Sequence, residues 1–274
     1  MKICMFSKMV QSLSVREAAA AMKKIGFDGV DLTVREPGHV LPDKVKTDLP
    51  KAVDEIKGEG LEVGMLTTAI TGADEPNAED IFATAQAFGI DRLKLGYWKY
   101  EGFGGLLKQV DAVRRDLDGI EKLSEKFGVI PCIHIHSGDF MSANAAVVYL
   151  MLQGRDPKRM GAYIDPGHMT VEGGRSCWKM GIDILSDYIQ ITSVKDFGWF
   201  WKPENVCDKK AWKYMLVPLD MGIVQWPEVV ACLRQINFDG VISLHSEYGG
   251  LSTEQLLAQT DADFKYFKSV LAAG

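Results

Sequence analysis

Short hydrophobic runs rich in β-branched residues alternate along the chain with longer amphipathic stretches. The short runs have the length of single strands, and the longer stretches carry apolar residues at helical spacing. The pattern predicts eight strands, over residues 2–6, 29–34, 62–67, 92–95, 129–135, 161–164, 188–194 and 241–244. It also predicts eight helices, over residues 17–26, 42–58, 77–87, 103–127, 142–152, 174–186, 226–235 and 253–272. Ser14 and Glu17 form an S-x-x-E capping box before the first helix, and Gly26 ends it.

The repeated order of strand then helix predicts an α/β protein with parallel strands, because the connections are too long for hairpins. A closed (β/α)8 barrel, or TIM barrel, holds eight such units in about 250 residues, and this chain has 274. An open doubly wound sheet is the alternative, but neither G-x-G-x-x-G nor a P-loop follows the first strand. No linker interrupts the alternation, so we expect one TIM-barrel domain over residues 1–274.

Composition excludes several classes of protein and partner. The 31 Lys and Arg against 37 Asp and Glu give a net charge of −6, and no basic cluster suggests a nucleic-acid partner. The five cysteines form no CxxC pair, which argues against a disulfide framework or a zinc ribbon. No stretch reaches the roughly 18 apolar residues that a membrane span needs. We therefore expect a cytoplasmic protein with no membrane partner.

Polar residues with the same side-chain parity end the last four predicted strands. Strand side chains point alternately to the lumen and to the helices, and TIM-barrel active sites lie at the carboxyl ends of the strands. The residues expected to meet there are His134, His136, Asp165, Lys195, His245 and Glu247, together with His168 on the loop after the sixth strand. Burying so many polar groups without partners would be costly. They form either a functional site or an internal polar network.

Two chemistries suit this cluster. His134, Asp165 and His245 make a set of two histidines and one carboxylate, which suits Zn, Mn, Fe or Co, and Glu247 could add a fourth ligand. Without a metal, the imidazoles would bind or deprotonate a substrate directly.

Loops near the expected mouth supply candidates for substrate contact. Arg35 and His39 follow the second strand in a segment whose Pro and Gly also fit a plain turn. Trp98 follows the fourth strand, and Trp199 and Trp201 follow the seventh. These rings could stack on the apolar face of a sugar, or could instead shield the mouth or an oligomer contact.

Five segments together carry a family resemblance: GFDGVDLTVREPGHV, YIDPGH, SVKD, VPLDMGIVQW and ISLHSEY. Over nearly its whole length the chain resembles the xylose-isomerase-like TIM barrels, the sugar isomerase/epimerase superfamily. The resemblance implies a divalent metal, often Mn, Co, Mg or Zn, and a pair of metal-bound glutamates that move a proton next to a ketose carbonyl. It also implies that His168 binds substrate as the histidine of a D-x-x-H motif, and that Lys195 and Asp196 are the family's K-D pair.

This chain departs from the family pattern at the metal ligands. The family places Glu, Asp, His and Glu on the fifth to eighth strands, and here His134, Asp165, Ser193 and His245 stand there. Only Asp165 matches, so the two-glutamate proton shuttle cannot be transferred. Glu247 has the parity of His245 but lies two residues further on, and need not mimic the missing glutamate.

We expect an enzyme that isomerises or epimerises a small carbohydrate or keto-sugar by proton transfer next to a carbonyl, with help from a metal. His136 or Glu247 would be the base, and His168 and Lys195 would hold substrate oxygens. The alternatives are a metal-dependent lyase on the same fold and a catalytically silent paralog that binds sugar or a partner enzyme. A homo-oligomer is compatible with all three.

Overall fold

Eight parallel strands form a closed barrel in the computed structural model, which describes residues 1–202 and 211–273. The barrel strands are β1 (Lys2–Phe6), β2 (Gly29–Thr33), β3 (Glu62–Thr67), β4 (Arg92–Lys94), β5 (Ile130–His134), β6 (Gly161–Ile164), β7 (Ile189–Val194) and β10 (Val241–Leu244). Around the ring the order is β1, β10, β7, β6, β5, β4, β3 and β2. The predicted (β/α)8 fold is confirmed, and the strand bounds agree with the prediction to within one residue.

Eight α-helices connect or follow these strands in the described part of the chain. They are α1 (Val15–Ile25), α2 (Val45–Gly58), α3 (Ala78–Ala87), α4 (Leu106–Phe127), α5 (Ala145–Leu152), α6 (Pro166–Ile184), α7 (Trp226–Gln235) and α8 (Thr253–Ala273). The capping box before α1 is present: the Glu17 amide donates to Ser14 Oγ, and the Ser14 amide donates to the Glu17 carboxylate. Gly26 ends α1 with a φ of 111°. None of the described helices is long and apolar enough to cross a membrane.

Helix α6 begins eight residues earlier than predicted. Asp165 caps it by accepting a hydrogen bond of 3.0 Å from the His168 amide, and Pro166 occupies its first turn. Gly174 interrupts the helix with φ 70° and ψ −166°. The sequence pattern predicted only the part after this kink, because residues 166–171 are all buried and show no amphipathic period.

A two-stranded antiparallel hairpin follows β7 and lies outside the barrel sheet. Its strands are β8 (Asp196–Trp201) and β9 (Trp212–Val217). The sequence prediction treated residues 199–201 as a loop, which is wrong. Trp199 pairs with Tyr214 and Trp201 with Trp212 across the two strands, with ring centroids 5.4 and 5.5 Å apart. A hairpin has no place in a repeating strand–helix unit, so a search for that repeat passes over it.

The barrel lumen changes from apolar to polar towards the carboxyl ends of the strands. A buried cluster fills its lower part, formed by Cys4, Met65, Cys132, Tyr163, Ile191 and Val241. Beyond it, the buried Asp31 carboxylate accepts hydrogen bonds from Thr67 (2.6 Å) and Ser243 (2.7 Å). Cys132, Tyr163 and Asp31 therefore point into the lumen, and the polar layer leads directly into a cavity.

Candidate active site

A cavity of about 80 Å³ opens at the carboxyl ends of the barrel strands. Six residues proposed from the sequence line it: Arg35, His134, His136, Lys195, His245 and Glu247. Asp165 lies directly behind them, fully buried and in contact with Lys195.

The Lys195 ammonium group bridges two carboxylates. Its Nζ lies 3.1 Å from Asp165 Oδ2 and 3.1 Å from Glu247 Oε2. Burial opposes the charge on Lys195, but the two carboxylates outweigh it and raise the pKa of the amine. Glu247 also binds Lys8 at 2.7 Å. Burial opposes its charge too, yet Lys195, His245 and Lys8 hold the pKa of Glu247 well below its usual value, which makes it a weak base.

His134 uses both of its ring nitrogens within the protein. Burial would raise the pKa of Asp165, but Lys195 and His168 hold it well below its ordinary value, so Asp165 is a carboxylate. Nε2 of His134 lies 3.3 Å from Asp165 Oδ2 and therefore carries a proton. Nδ1 then accepts a hydrogen bond of 2.8 Å from the hydroxyl of Tyr97. Burial lowers the pKa of His134 well below its usual value, so the ring is neutral.

His136 has one ring nitrogen that is hydrogen-bonded to the backbone and one without a described partner. Its Nδ1 lies 2.8 Å from the backbone oxygen of Ser137, and since a carbonyl only accepts, Nδ1 carries the proton. Nε2 keeps its lone pair, and no group in the described part of the chain hydrogen-bonds it. Burial and then the charge of Lys195 lower the pKa of His136. The ring is therefore neutral at pH 7 with an acceptor available.

His168 packs behind His136. The two ring centroids are 4.0 Å apart, and Nδ1 of His168 is hydrogen-bonded to Ser137 Oγ at 2.7 Å. Its buried Nε2 lies 3.7 Å from Asp165 Oδ2, too far for a hydrogen bond. His168 does not line the cavity, so it lies behind the ring of His136.

His245 directly follows β10 and also lines the cavity. Its Nε2 is hydrogen-bonded to the hydroxyl of Tyr163 at 2.7 Å, and its Nδ1 lies 3.5 Å from Glu247 Oε2. The ring stacks on Phe6 with centroids 4.5 Å apart. Asp31 lies 3.9 Å from Nε2. The residue joins the polar lumen layer to the cavity.

Four residues proposed for substrate contact lie elsewhere. His39 lines a separate small cavity beside α1, where its amide donates to Thr33 Oγ1 at 2.9 Å. Trp98 donates its indole N–H to Asp116 at 2.9 Å. Trp199 and Trp201 are 43% and 53% exposed on the hairpin and do not line the cavity. The structure therefore separates them from the histidine cluster.

Other lining residues were not identified from the sequence. They are Phe6, Lys8, Thr67, Lys94 and Tyr97. Lys94 ends β4, and strand parity places its side chain in the lumen. Applying parity to all eight strands would have found it. Tyr97 lies beyond the strand, where parity no longer predicts direction.

Comparison with known proteins identifies the family. The family model described as xylose isomerase-like TIM barrel matches residues 19–270. The chain belongs to this family. A search of the curated proteins finds no significant match.

Solved structures agree with the fold. The 3-keto-D-glucoside 4-epimerase from E. coli is 14% identical with a TM-score of 0.72, covering 98% of this chain and 99% of its own. A probable 3-DHS dehydratase from Bacillus anthracis is 16% identical with a TM-score of 0.72 and the same coverage. The IOLI protein, solved with a zinc atom, is 15% identical with a TM-score of 0.76, covering 100% of this chain and 99% of its own. Proteins that modify sugars and related small molecules therefore share this barrel, and some hold a metal.

The side chains of this chain, as arranged, do not fit a resident divalent metal. Lys195 already bridges Asp165 and Glu247, so an ammonium group neutralises the carboxylates that a metal would need. Both nitrogens of His134 are engaged, and Nε2 of His245 is hydrogen-bonded to a tyrosine. Within residues 1–202 and 211–273, no three His, Cys, Asp or Glu side chains are placed to hold a metal ion.

Proposed function

We propose that this protein epimerises or isomerises a keto-sugar by moving a proton at the carbon next to a carbonyl. The observation that carries the proposal is His136, a cavity-lining neutral imidazole whose Nε2 has no hydrogen-bond partner among the described residues. A general base of this kind must be unprotonated and within reach of the substrate. The family membership of the chain, and the fold that it shares with a keto-sugar epimerase, support a sugar-modifying enzyme.

His136 is a better candidate for the base than Glu247. The Glu247 carboxylate is bound to Lys8 and Lys195, and a proton on it would weaken both ion pairs. His136 has one nitrogen fixed by a backbone carbonyl and the other unbound. His168 acts through His136, since its ring packs on the base.

Lys195 supplies a fixed positive charge near the negative charge that develops on the substrate. An ammonium group has three N–H donors, and two of them face Asp165 and Glu247. The third is available for a substrate oxygen. Such a preorganised donor stabilises an enolate without reorganising.

Incubation in deuterium oxide tests the proposal. We expect the protein to exchange the α-hydrogen of a 3-keto-D-glucoside, or of a simple ketose such as D-fructose. His136→Gln should abolish exchange, while His39→Gln, which changes a histidine outside the cavity, should leave it intact. A panel of keto-sugars that binds without exchange would contradict proton transfer and favour the silent sugar-binding alternative.

A lyase begins with the same proton abstraction and then expels a hydroxyl group as water. The dehydratase that shares this fold makes this the second candidate. Mass spectrometry separates the two outcomes, since an epimerised or isomerised product keeps the substrate mass and a dehydrated product has lost one water.

A further inference from the structure

Lys94 is a second buried lysine in the cavity, and its surroundings differ from those of Lys195. It is the last residue of β4, is only 3% exposed, and lines the same cavity as His136. Among the described residues, none forms a hydrogen bond or ion pair with its Nζ. Its Nζ lies over the ring of Tyr97, 3.6 Å from the ring centroid.

The charges that face Lys94 are mostly positive. Arg35, Lys195 and Lys8 repel a proton on its amine, and Asp31 is the carboxylate that opposes them. Burial first, and then Arg35, lower the pKa of Lys94 well below its ordinary value. A desolvated lysine beside other cations is the arrangement that leaves an amine unprotonated and nucleophilic.

The other cationic groups of the cavity cannot take this role. Lys195 and Lys8 are both bound to Glu247, and Lys195 also to Asp165. Arg35 carries a guanidinium group, which stays protonated. Lys94 is therefore the cavity amine that the described residues leave without a carboxylate.

We propose that Lys94 forms an imine with the carbonyl group of the keto-sugar. The inference rests on the proposed function. The iminium ion formed at Lys94 is the group that withdraws electrons from the α-carbon. Lys94 lies in the same cavity as His136, and imine formation needs no metal.

The reaction balances without an oxidant or reductant. The Lys94 lone pair adds to the carbonyl carbon, and the carbonyl oxygen takes one proton from the nitrogen and one from the solvent. The C–O bond then breaks, water leaves, and an iminium ion results. His136 Nε2 removes the α-proton, and the C–H electrons move into the C=N bond to give an enamine. The solvent returns a proton to the α-carbon, which restores the iminium ion, and His136 gives its proton to the solvent. Water then hydrolyses the iminium ion to the product and the free amine, and this releases the proton taken up in the first step.

Reductive trapping tests the imine without relying on turnover. The intact protein is incubated at pH 7 with dihydroxyacetone, and separately with 3-keto-D-glucose, in the presence of cyanoborohydride. We expect a covalent adduct of the sugar less one oxygen atom, mapped by peptide mass spectrometry to Lys94 at least tenfold above the exposed lysines. Adducts confined to exposed lysines, with Lys94 unmodified, would overturn the proposal.

Three variants control the experiment. Lys94→Met and Lys94→Arg should both lose the cavity adduct, and the second keeps a cation in case the first fails to fold. Lys99→Met changes an exposed lysine near the same loop and should keep it. An adduct that persists in both Lys94 variants at another cavity residue would overturn the assignment.

Hydrogen exchange separates this inference from the proposed function. Exchange of the α-hydrogen without trapping at Lys94 would refute the imine and leave proton transfer standing. Trapping without exchange would support the nucleophile and refute proton transfer. Neither trapping nor exchange with both probes would overturn both.

Discussion

Nζ of Lys195 lies 3.1 Å from Asp165 Oδ2, with 2% of the lysine side chain and none of the aspartate side chain exposed. The pair stands where the family resemblance implies a metal on the Asp165 carboxylate. The charge of that carboxylate is compensated by the chain itself, which changes what each residue around it is expected to do.

Removing Lys195 should destabilise the fold. Lys195→Met leaves Asp165 and Glu247 without their shared cation, and breaking a buried ion pair in this way costs about 3–5 kcal/mol. Urea denaturation at pH 7 measures the free energy of unfolding. Lys94→Met is the matched control, since it removes a buried lysine with no described ion pair and should cost less than about 1 kcal/mol. Equal losses in the two variants would contradict the assigned pairing.

Metal removal should leave α-hydrogen exchange unchanged. The sequence predicted one divalent metal on His134, Asp165 and His245, whereas the structure engages those side chains with protein partners. We expect dialysis against a chelator to change neither exchange nor the melting temperature. One tightly bound metal per chain that disappears in Asp165→Ala would restore the metal-dependent mechanism.

The pH dependence of exchange should report His136. Burial lowers the pKa of this imidazole below its usual 6.5, so the neutral base is fully present at pH 7 and above. As the pH falls through the pKa, the ring gains a proton and cannot accept another. We expect the exchange rate to be level near pH 7 and to fall only below pH 6.5. A rate that already falls between pH 8 and 7 would point to a different base.

The hairpin aromatics should matter little for substrate affinity. Trp201 is 53% exposed and contacts Trp212, away from the cavity lining. Trp201→Ala should leave KM within about twofold and the free energy of unfolding within about 1 kcal/mol, the scale of one cross-strand pair. Phe197→Ala should change KM more than Trp201→Ala does, because this buried ring lies 5.1 Å from the ring of His168. A large rise in KM in Trp201→Ala would show that the hairpin contacts substrate, as the sequence suggested. Loss of an oligomer in this variant would show that the hairpin forms a subunit interface.

Strand–helix alternation and side-chain parity determined the barrel and its lumen from the sequence alone. Each barrel unit repeats one local pattern, and a strand fixes the side of every second residue. The sequence therefore predicts that five side chains meet at one end of the barrel: His134, His136, Asp165, Lys195 and His245. The same pattern could not show the hairpin after β7, since it interrupts the repeat.

Only the tertiary structure decided how these side chains pair. Parity predicts on which face of the sheet a side chain lies, but not which group the end of that side chain contacts. It could not show that Lys195 reaches Asp165 and Glu247 together while Lys94 reaches neither. It also could not place His39 behind the barrel wall, because loop direction depends on packing against α1. The difference between a metal ligand and a hydrogen-bonded imidazole depends on neighbours from distant strands, which only the closed barrel brings together.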